Sequence, residues 1–249
     1  DLQAIKTHAE KDGNQYKING SKTFITNGGS ADLICLAAKT DPNQGSKGVS
    51  LLMVETDGLE GFRRGTPLKK VGMKGNDTAE LFFENVKIPQ TNLLGPEEGK
   101  GFYQLMKQLP WERLYIGIAG LGAADCALDE TIKYVKERKA FGKRVFDFQN
   151  TKFKLAELKT KVEVTRSFIN DCIQKLISGE LDAATASMAK YWGSQIQGEV
   201  LDECVQLHGG YGFMAEYSVA RMWTDARVQK IYGGTNEIMK ELIARSLDT

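Results

Sequence analysis

Residues 81–120 read LFFENVKIPQTNLLGPEEGKGFYQLMKQLPWERLYIGIAG, and the hydrophobic spacing changes once within them. Leu81–Val86 is a short apolar and aromatic run of strand length, whereas Phe102, Leu105, Met106, Leu109, Ile116 and Ala119 recur at helical spacing. The change follows Leu94-Gly95-Pro96, where glycine and proline interrupt any continuing element. The chain is therefore divided into a β-rich part, residues 1–96, and a helical part, residues 97–249.

Upstream of this point, Tyr16 and Ile18 alternate with polar neighbours. Asn19-Gly20 supplies the residues of a tight hairpin turn, and Thr23–Thr26 is read as the returning strand. Further strands are expected at Leu33–Ala38, Val49–Val54 and Leu81–Val86. The connections carry Asp-Pro, Gly-Ser, Asp-Gly and Arg-Arg-Gly, turn formers rather than the crossover helices of a parallel sheet. They predict a small antiparallel barrel or sandwich.

Downstream, the helical rhythm continues through Ile132, Tyr134 and Val135, giving one very long helix with a kink or break expected at Pro110. A loop over Gly142–Phe148 precedes a helix over Thr151–Ile177, which Gly179 closes. Asp182 can cap the next helix, which runs to about Leu207. Shorter helices over Glu216–Gln229 and Asn236–Ser246 flank Ile231–Ile238. The whole reads as an α+β multidomain chain, a β-domain followed by an antiparallel four-helix bundle.

Composition narrows the function. Hydrophobic residues at 41% and charged residues at 26% are the balance of a globular protein, and 249 residues suffice for two domains. With 33 basic and 32 acidic side chains, no net field attracts nucleic acid or an anionic membrane. No apolar run reaches the ~18 residues that span a bilayer. The four cysteines are far apart, which speaks against a zinc or redox pair and for a reducing compartment, and His8 and His208 are too few for a metal centre. Asp1 stands where an initiator Met would, so a fragment of a longer chain is expected.

Four stretches could carry chemistry. Glu112, between Trp111 and Arg113, is either a solvent-facing helical residue or a carboxylate partly shielded by apolar neighbours and thereby made a better base. Gln206-Leu-His-Gly-Gly-Tyr-Gly212 has three glycines, more than one helix cap needs, and fits a tight packing joint as well as a ligand site. Tyr232-Gly-Gly-Thr-Asn-Glu237 opens the last helix, where Thr235 or Asn236 can cap and free N–H groups can receive an oxygen. Arg138-Lys-Ala-Phe141-Gly142 puts a cation and an aromatic ring at a helix end, which needs no ligand to justify it. The loop Gly95–Gly101 lacks the spacing of a nucleotide-binding phosphate loop, and Gly209–Gly212 follows a helix where a dinucleotide fingerprint follows a strand.

Together these stretches resemble the acyl-CoA dehydrogenase family, its long-chain branch above all, over essentially all 249 residues. The resemblance rests on Asn19–Gly28 (NGSKTFITNG), Glu137–Gly142 (ERKAFG), Gln206–Gly210 (QLHGG) and Ile231–Ile238 (IYGGTNEI), in family order. Most members of the family carry their catalytic Glu directly after the Tyr of the last motif, and here that position is Gly233. The long-chain and isovaleryl branches carry it on the long helix directly before an Arg, a pair that Glu112-Arg113 matches.

The resemblance implies the roles that follow. Glu112 is the base, and Arg113, Tyr232 and Gly233 bind substrate, the Gly233 N–H receiving the thioester carbonyl. FAD is the cofactor, with Phe24, Ile25 and Thr26 beside its isoalloxazine ring. Arg138, Phe141 and Gln149 reach its adenosine diphosphate part from a neighbouring subunit, Gln206, His208, Gly209 and Gly210 line its adenosine side, and Thr235, Asn236 and Glu237 lie on its phosphate side. The implied reaction is α,β-dehydrogenation of an acyl-CoA to a trans-2-enoyl-CoA in β-oxidation, with electrons passed to an electron-transfer flavoprotein. The implied assembly is a homotetramer of paired dimers, in the mitochondrial matrix of a eukaryote or the cytoplasm of a bacterium. The alternatives are an isovaleryl-type enzyme, an inactive fragment serving as an oligomerising bundle and, more distantly, an oxidase. The family's N-terminal helical domain has no counterpart in these residues, so this polypeptide alone is expected to bind FAD poorly and to be weak or inactive.

Overall fold

Alternating burial along the β-rich residues builds a six-stranded sheet in the order β4-β3-β1-β2-β6-β5, in a computed structural model that describes residues 4–248. The strands are β1 (His8–Asp12), β2 (Gln15–Thr26), β3 (Leu33–Lys39), β4 (Val49–Glu55), β5 (Phe62–Arg64) and β6 (Thr78–Pro89). All neighbours pair antiparallel except β1 and β3, which run parallel at His8 and Lys39. Tyr16, Ile18, Leu36, Leu52, Val54, Leu81, Phe83, Val86 and Ile88 form the core of this part. The Tyr16 hydroxyl, at its edge, donates to Glu98 Oε1 at 2.5 Å.

The hairpin expected at Asn19-Gly20 is not formed. The chain reverses earlier, between β1 and β2, where Gly13 has a φ of 64°. Asn19-Gly20 instead marks a slip in the register of β2 against β6. Asn19 Oδ1 accepts from Asn85 N at 2.8 Å across the slip. Gly20 is required there because its φ is 138° and a Cβ would lie 2.6 Å from Thr7 Cα. The same two residue types serve a tight turn and a bulge, and the pairing with β6 decides between them.

Contacts divide the chain into two units, the first ending at Lys107 and the second beginning at Gln108. The division lies beyond residue 96 because the start of α1 belongs with the sheet, where a Cβ on Gly101 would lie 2.7 Å from the Ser50 carbonyl carbon. The helices are α1 (Gly101–Glu137), α2 (Gln149–Ser178), α3 (Ala183–His208), α4 (Ser218–Ala226) and α5 (Asn236–Arg245). No break occurs at Pro110, since α1 is helical throughout and forgoes the one N–H that proline lacks. Gly179 ends α2 in the left-handed region at φ 78°, and Asp182 Oδ1 caps α3 by accepting from Thr185 N at 2.9 Å. Between α1 and α2 a two-stranded hairpin, β7 (Lys139–Ala140) with β8 (Lys143–Arg144), occupies the expected loop.

In the helical unit, Leu114, Leu121, Leu128 and Val135 of α1 pack with Leu155, Leu158, Val162 and Ile169 of α2 and Ile196, Val200 and Leu201 of α3. Each such side chain contributes roughly 1.5–3 kcal/mol when fully buried. The α1–α3 crossing is set by glycine: a Cβ on Gly117 would lie 2.6 Å from Ala189 O, and one on Gly193 would lie 2.7 Å from Gly117 Cα. Backbone therefore meets backbone, which brings Arg113 against α3. Cys172 and Cys204 are core residues, and burial pushes the Cys204 thiol up to about 11. All four cysteines are free thiols.

Candidate functional site

In the sheet unit, β2 slips register against β6 a second time between Lys22 and Ile25. Phe24 sits in that slip with a φ of 59° and is 77% exposed. A bulky side chain held in the left-handed region costs on the order of 1–3 kcal/mol, and such residues gather at binding sites. Ile25 packs partly on the core and Thr26 is exposed. The turn that follows is pinned by Asp77, whose carboxylate accepts from Gly29 N at 2.6 Å and from Ser30 Oγ at 3.0 Å. Arg64 donates to Gly28 O and Ala31 O from the other side. Phe24 and Thr26 are thus presented outward from a braced strand end.

In the helical unit a hollow of about 560 Å³ is lined by Tyr134, Arg138, Gln206, His208, Gly209 and Gly210, among others. Two stretches separated by nearly seventy positions in sequence are brought together there. His208 is a fixed wall: its Nδ1 donates to Cys204 O at 2.8 Å and its ring stacks on Tyr134 at 4.1 Å between centroids. The Tyr134 hydroxyl donates to His208 O at 3.2 Å. Gly209 takes a φ of 59°, and a Cβ on either Gly209 or Gly210 would meet nothing within 4 Å. The backbone there faces open space, so a flat ligand can lie directly on it. Arg138 lies over the Tyr211 ring at 5.5 Å. Phe141, at the tip of the β7–β8 hairpin, has a φ of 52° and is 94% exposed, and Gln149 is exposed at the start of α2. Neither Phe141 nor Gln149 lines the hollow.

The turn before α5 carries the third group. Gly233 and Gly234 take φ values of 65° and 95°, and a Cβ on Gly233 would lie 2.4 Å from Ile116 Cδ1. No hydrogen bond among the described residues engages the N–H of either glycine. Thr235 caps α5, its Oγ1 accepting from Ile238 N at 3.4 Å, and Glu237 is exposed in the first turn. Tyr232 donates to Gln229 Oε1 at 2.6 Å, and burial, with Tyr115 nearby, raises its phenol above the usual range.

Residues 99–247 match Acyl-CoA dehydrogenase, C-terminal domain, and residues 1–86 match Acyl-CoA dehydrogenase, middle domain. The chain belongs to the acyl-CoA dehydrogenase family. It is 53% identical over 249 residues to the long-chain specific acyl-CoA dehydrogenase, mitochondrial, of Sus scrofa, covering 99% of this chain and 57% of that protein. It therefore spans a little over half the length of that relative. An acyl-CoA dehydrogenase from Geobacillus kaustophilus superposes with a TM-score of 0.97 at 51% identity, over 100% of this chain and 66% of that one. Butyryl-CoA dehydrogenase from Megasphaera elsdenii superposes at 0.94 with 39% identity, over 99% of this chain and 64% of that one.

Three of the expected site residues take these positions in the structure. Glu112 is exposed, not shielded, because the α1 face that carries Trp111 and Tyr115 is left open in the helical unit. Arg113, expected to bind substrate, is 8% exposed and turns inward, its Nη1 lying 3.4 Å from Ser187 Oγ. Burial lowers its guanidinium pKa, and Glu112 opposes that shift. Asn236, expected to face the cofactor, is buried and engaged by Lys190 and Ser194. Sequence reasoning missed Tyr134, a wall of the hollow; its position one turn before Arg138 was the available signal.

Gly233→Ala should lower the unfolding free energy by about 1–3 kcal/mol, since the new methyl meets Ile116 and the backbone strains at positive φ. Thermal denaturation reads this. An unchanged midpoint would mean that the turn is pliant.

Proposed function

We propose that this chain is the flavin- and base-bearing part of a longer enzyme that desaturates an acyl-CoA thioester between its α and β carbons, with a long acyl chain preferred. The observation that carries the reading is the pairing of two neighbours. Gly233 has only hydrogen where Ile116 fills the space, and Glu112 lies one helical turn before Ile116 on the same face of α1. On this reading, Glu112 supplies the carboxylate that the turn itself lacks.

The residues fit FAD. The hollow with open glycine backbone, a stacking ring and the Arg138 cation suits an adenosine and its phosphates, and the exposed Phe24 and Thr26 suit a flavin ring. Arg138, Gln206, His208, Gly209 and Gly210 would hold the adenosine side, with Phe141 and Gln149 reaching it from a neighbouring subunit. Thr235 and Glu237 would lie on the phosphate side. When bound, FAD supplies the acceptor for hydride from the β-carbon.

Glu112 takes the α-proton, and the unengaged Gly233 N–H donates to the thioester carbonyl oxygen as negative charge develops there. Tyr232, tethered to Gln229, borders that turn. The product is a trans-2-enoyl-CoA in β-oxidation. Electrons pass on to an electron-transfer flavoprotein. The assembly is a homotetramer of paired dimers, placed in the mitochondrial matrix in a eukaryote or the cytoplasm in a bacterium.

Two measurements test this. Full-length protein should show a flavin spectrum and turn over palmitoyl-CoA with a kcat/KM at least on the order of tenfold above that for isovaleryl-CoA. The reverse order would make it an isovaleryl-type enzyme. The 249-residue polypeptide purified alone should be nearly colourless and inactive, and a stoichiometric flavin with full turnover would overturn that expectation.

A further inference from the structure

Lys190, on α3, is fully buried, and its Nζ donates to Asn236 Oδ1 at 2.9 Å. The Asn236 amide also pairs with Ser194 Oγ at 3.1 Å. The charges facing Lys190 are Arg113 from α1, which opposes its protonation, and Glu237 from α5, which favours it, and burial holds the ammonium down to about 8. Among the described residues, no carboxylate is hydrogen-bonded to it. A buried cation whose bonded partner is neutral is costly to folding. The unfolded chain binds the proton more tightly, so this lysine's own contribution to stability is least favourable below about pH 8 and improves as pH climbs from about 8 toward 10.5. Stability therefore does not account for a lysine here, since a methionine of similar length would fill the space without burying a charge.

The partner accounts for it. Asn236 is the first residue of α5, directly after Tyr232-Gly233-Gly234-Thr235. Two successive glycines at positive φ give that turn wide conformational freedom, so its position must be set by contacts from outside it. Tyr232 is held at the start of the turn by Gln229 and Val228, Ile116 lies beneath Gly233, and the Lys190–Asn236 bond fixes the turn at its other end.

We propose that Lys190 is a positioning residue for the dehydrogenation: acting through Asn236, it fixes the Tyr232–Thr235 turn so that the Gly233 N–H stays where the thioester carbonyl must be polarised. This rests on the function proposed above. Lys190 touches neither substrate nor cofactor.

The test is Lys190→Met in full-length protein. Backbone amides of residues 231–238 should exchange with solvent at least on the order of fivefold faster while those of α2 are unchanged, and the melting temperature should hold or rise. On palmitoyl-CoA, kcat should fall at least on the order of tenfold with KM within about twofold. Asn236→Leu should have the same effect, and the double variant should lose little more. Lys190→Gln, which keeps a donor toward Asn236, should recover part of the loss.

Unchanged exchange over 231–238, retained kcat, additive single losses, or a melting temperature lowered in both Lys190 variants would each overturn the proposal. If Glu112→Gln retains full turnover, the dehydrogenation reading itself fails. If Glu112→Gln is inactive and Lys190→Met is fully active, this inference fails alone.

Discussion

Glu112→Gln should lower kcat on an acyl-CoA by about 10³-fold while leaving KM, flavin content and melting temperature close to those of the parent. Gln keeps the size and hydrogen-bonding reach of Glu but cannot accept a proton, so only the proton-transfer step is removed. The Glu112 side chain is exposed and makes no hydrogen bond or ion pair among the described residues, and its attraction for Arg113 acts through solvent, so little folding energy is lost with it. Arg113 beside it anchors toward α3 independently, so the helix face is not disturbed. Stopped-flow reduction of the flavin separates the proton-transfer step from later electron transfer. Reduction at the parent rate would leave the proposed chemistry without its base.

Gly117→Val should destabilise the helical unit by about 3 kcal/mol or more, enough to lower its melting temperature by roughly 10 °C or to leave it insoluble. The Cβ alone would sit 2.6 Å from Ala189 O and 3.0 Å from Ile169 Cδ1. The first of these is backbone, so relief requires α1 and α3 to separate, which opens the core on both sides. Gly122 lies on the same helix with nothing within 4 Å of its Cβ position. Gly122→Ala should therefore hold or raise stability by up to about 1 kcal/mol, because it removes only chain freedom. Equal effects of the two substitutions in calorimetry would mean that the crossing is not glycine-limited.

The sequence was most legible where local chemistry and tertiary packing agree. Gly179 and Asp182 end and start helices because caps are satisfied by their own neighbours. Leu33–Ala38 and Val49–Val54 form strands because they are buried with a regular partner. Asn19-Gly20 misled because its preferred turn geometry equally suits a bulge opposite Asn85. β5 (Phe62–Arg64) was invisible, being too short to show a period. Helical rhythm located Glu112 and Arg113 on α1 but could not decide which of two successive residues faces inward. That is fixed by the glycine crossing at Gly117 and Gly193, a contact between segments far apart in sequence. The hollow's residues were found through the family's motifs, and what brings them together is the end of α1 meeting the end of α3.

One rod serves two distant ends. From Glu112 to Arg138, α1 advances about 1.5 Å per residue, so the carboxylate and the cation lie roughly 39 Å apart along a single axis. Deleting one residue between them would turn Arg138 by about 100° around that axis and swing it out of the hollow while Glu112 stayed in place. Side chains along the exposed face of that stretch do not enter this geometry. Its residue count sets the phase between the two ends, because each residue adds a fixed rise and rotation along the helix.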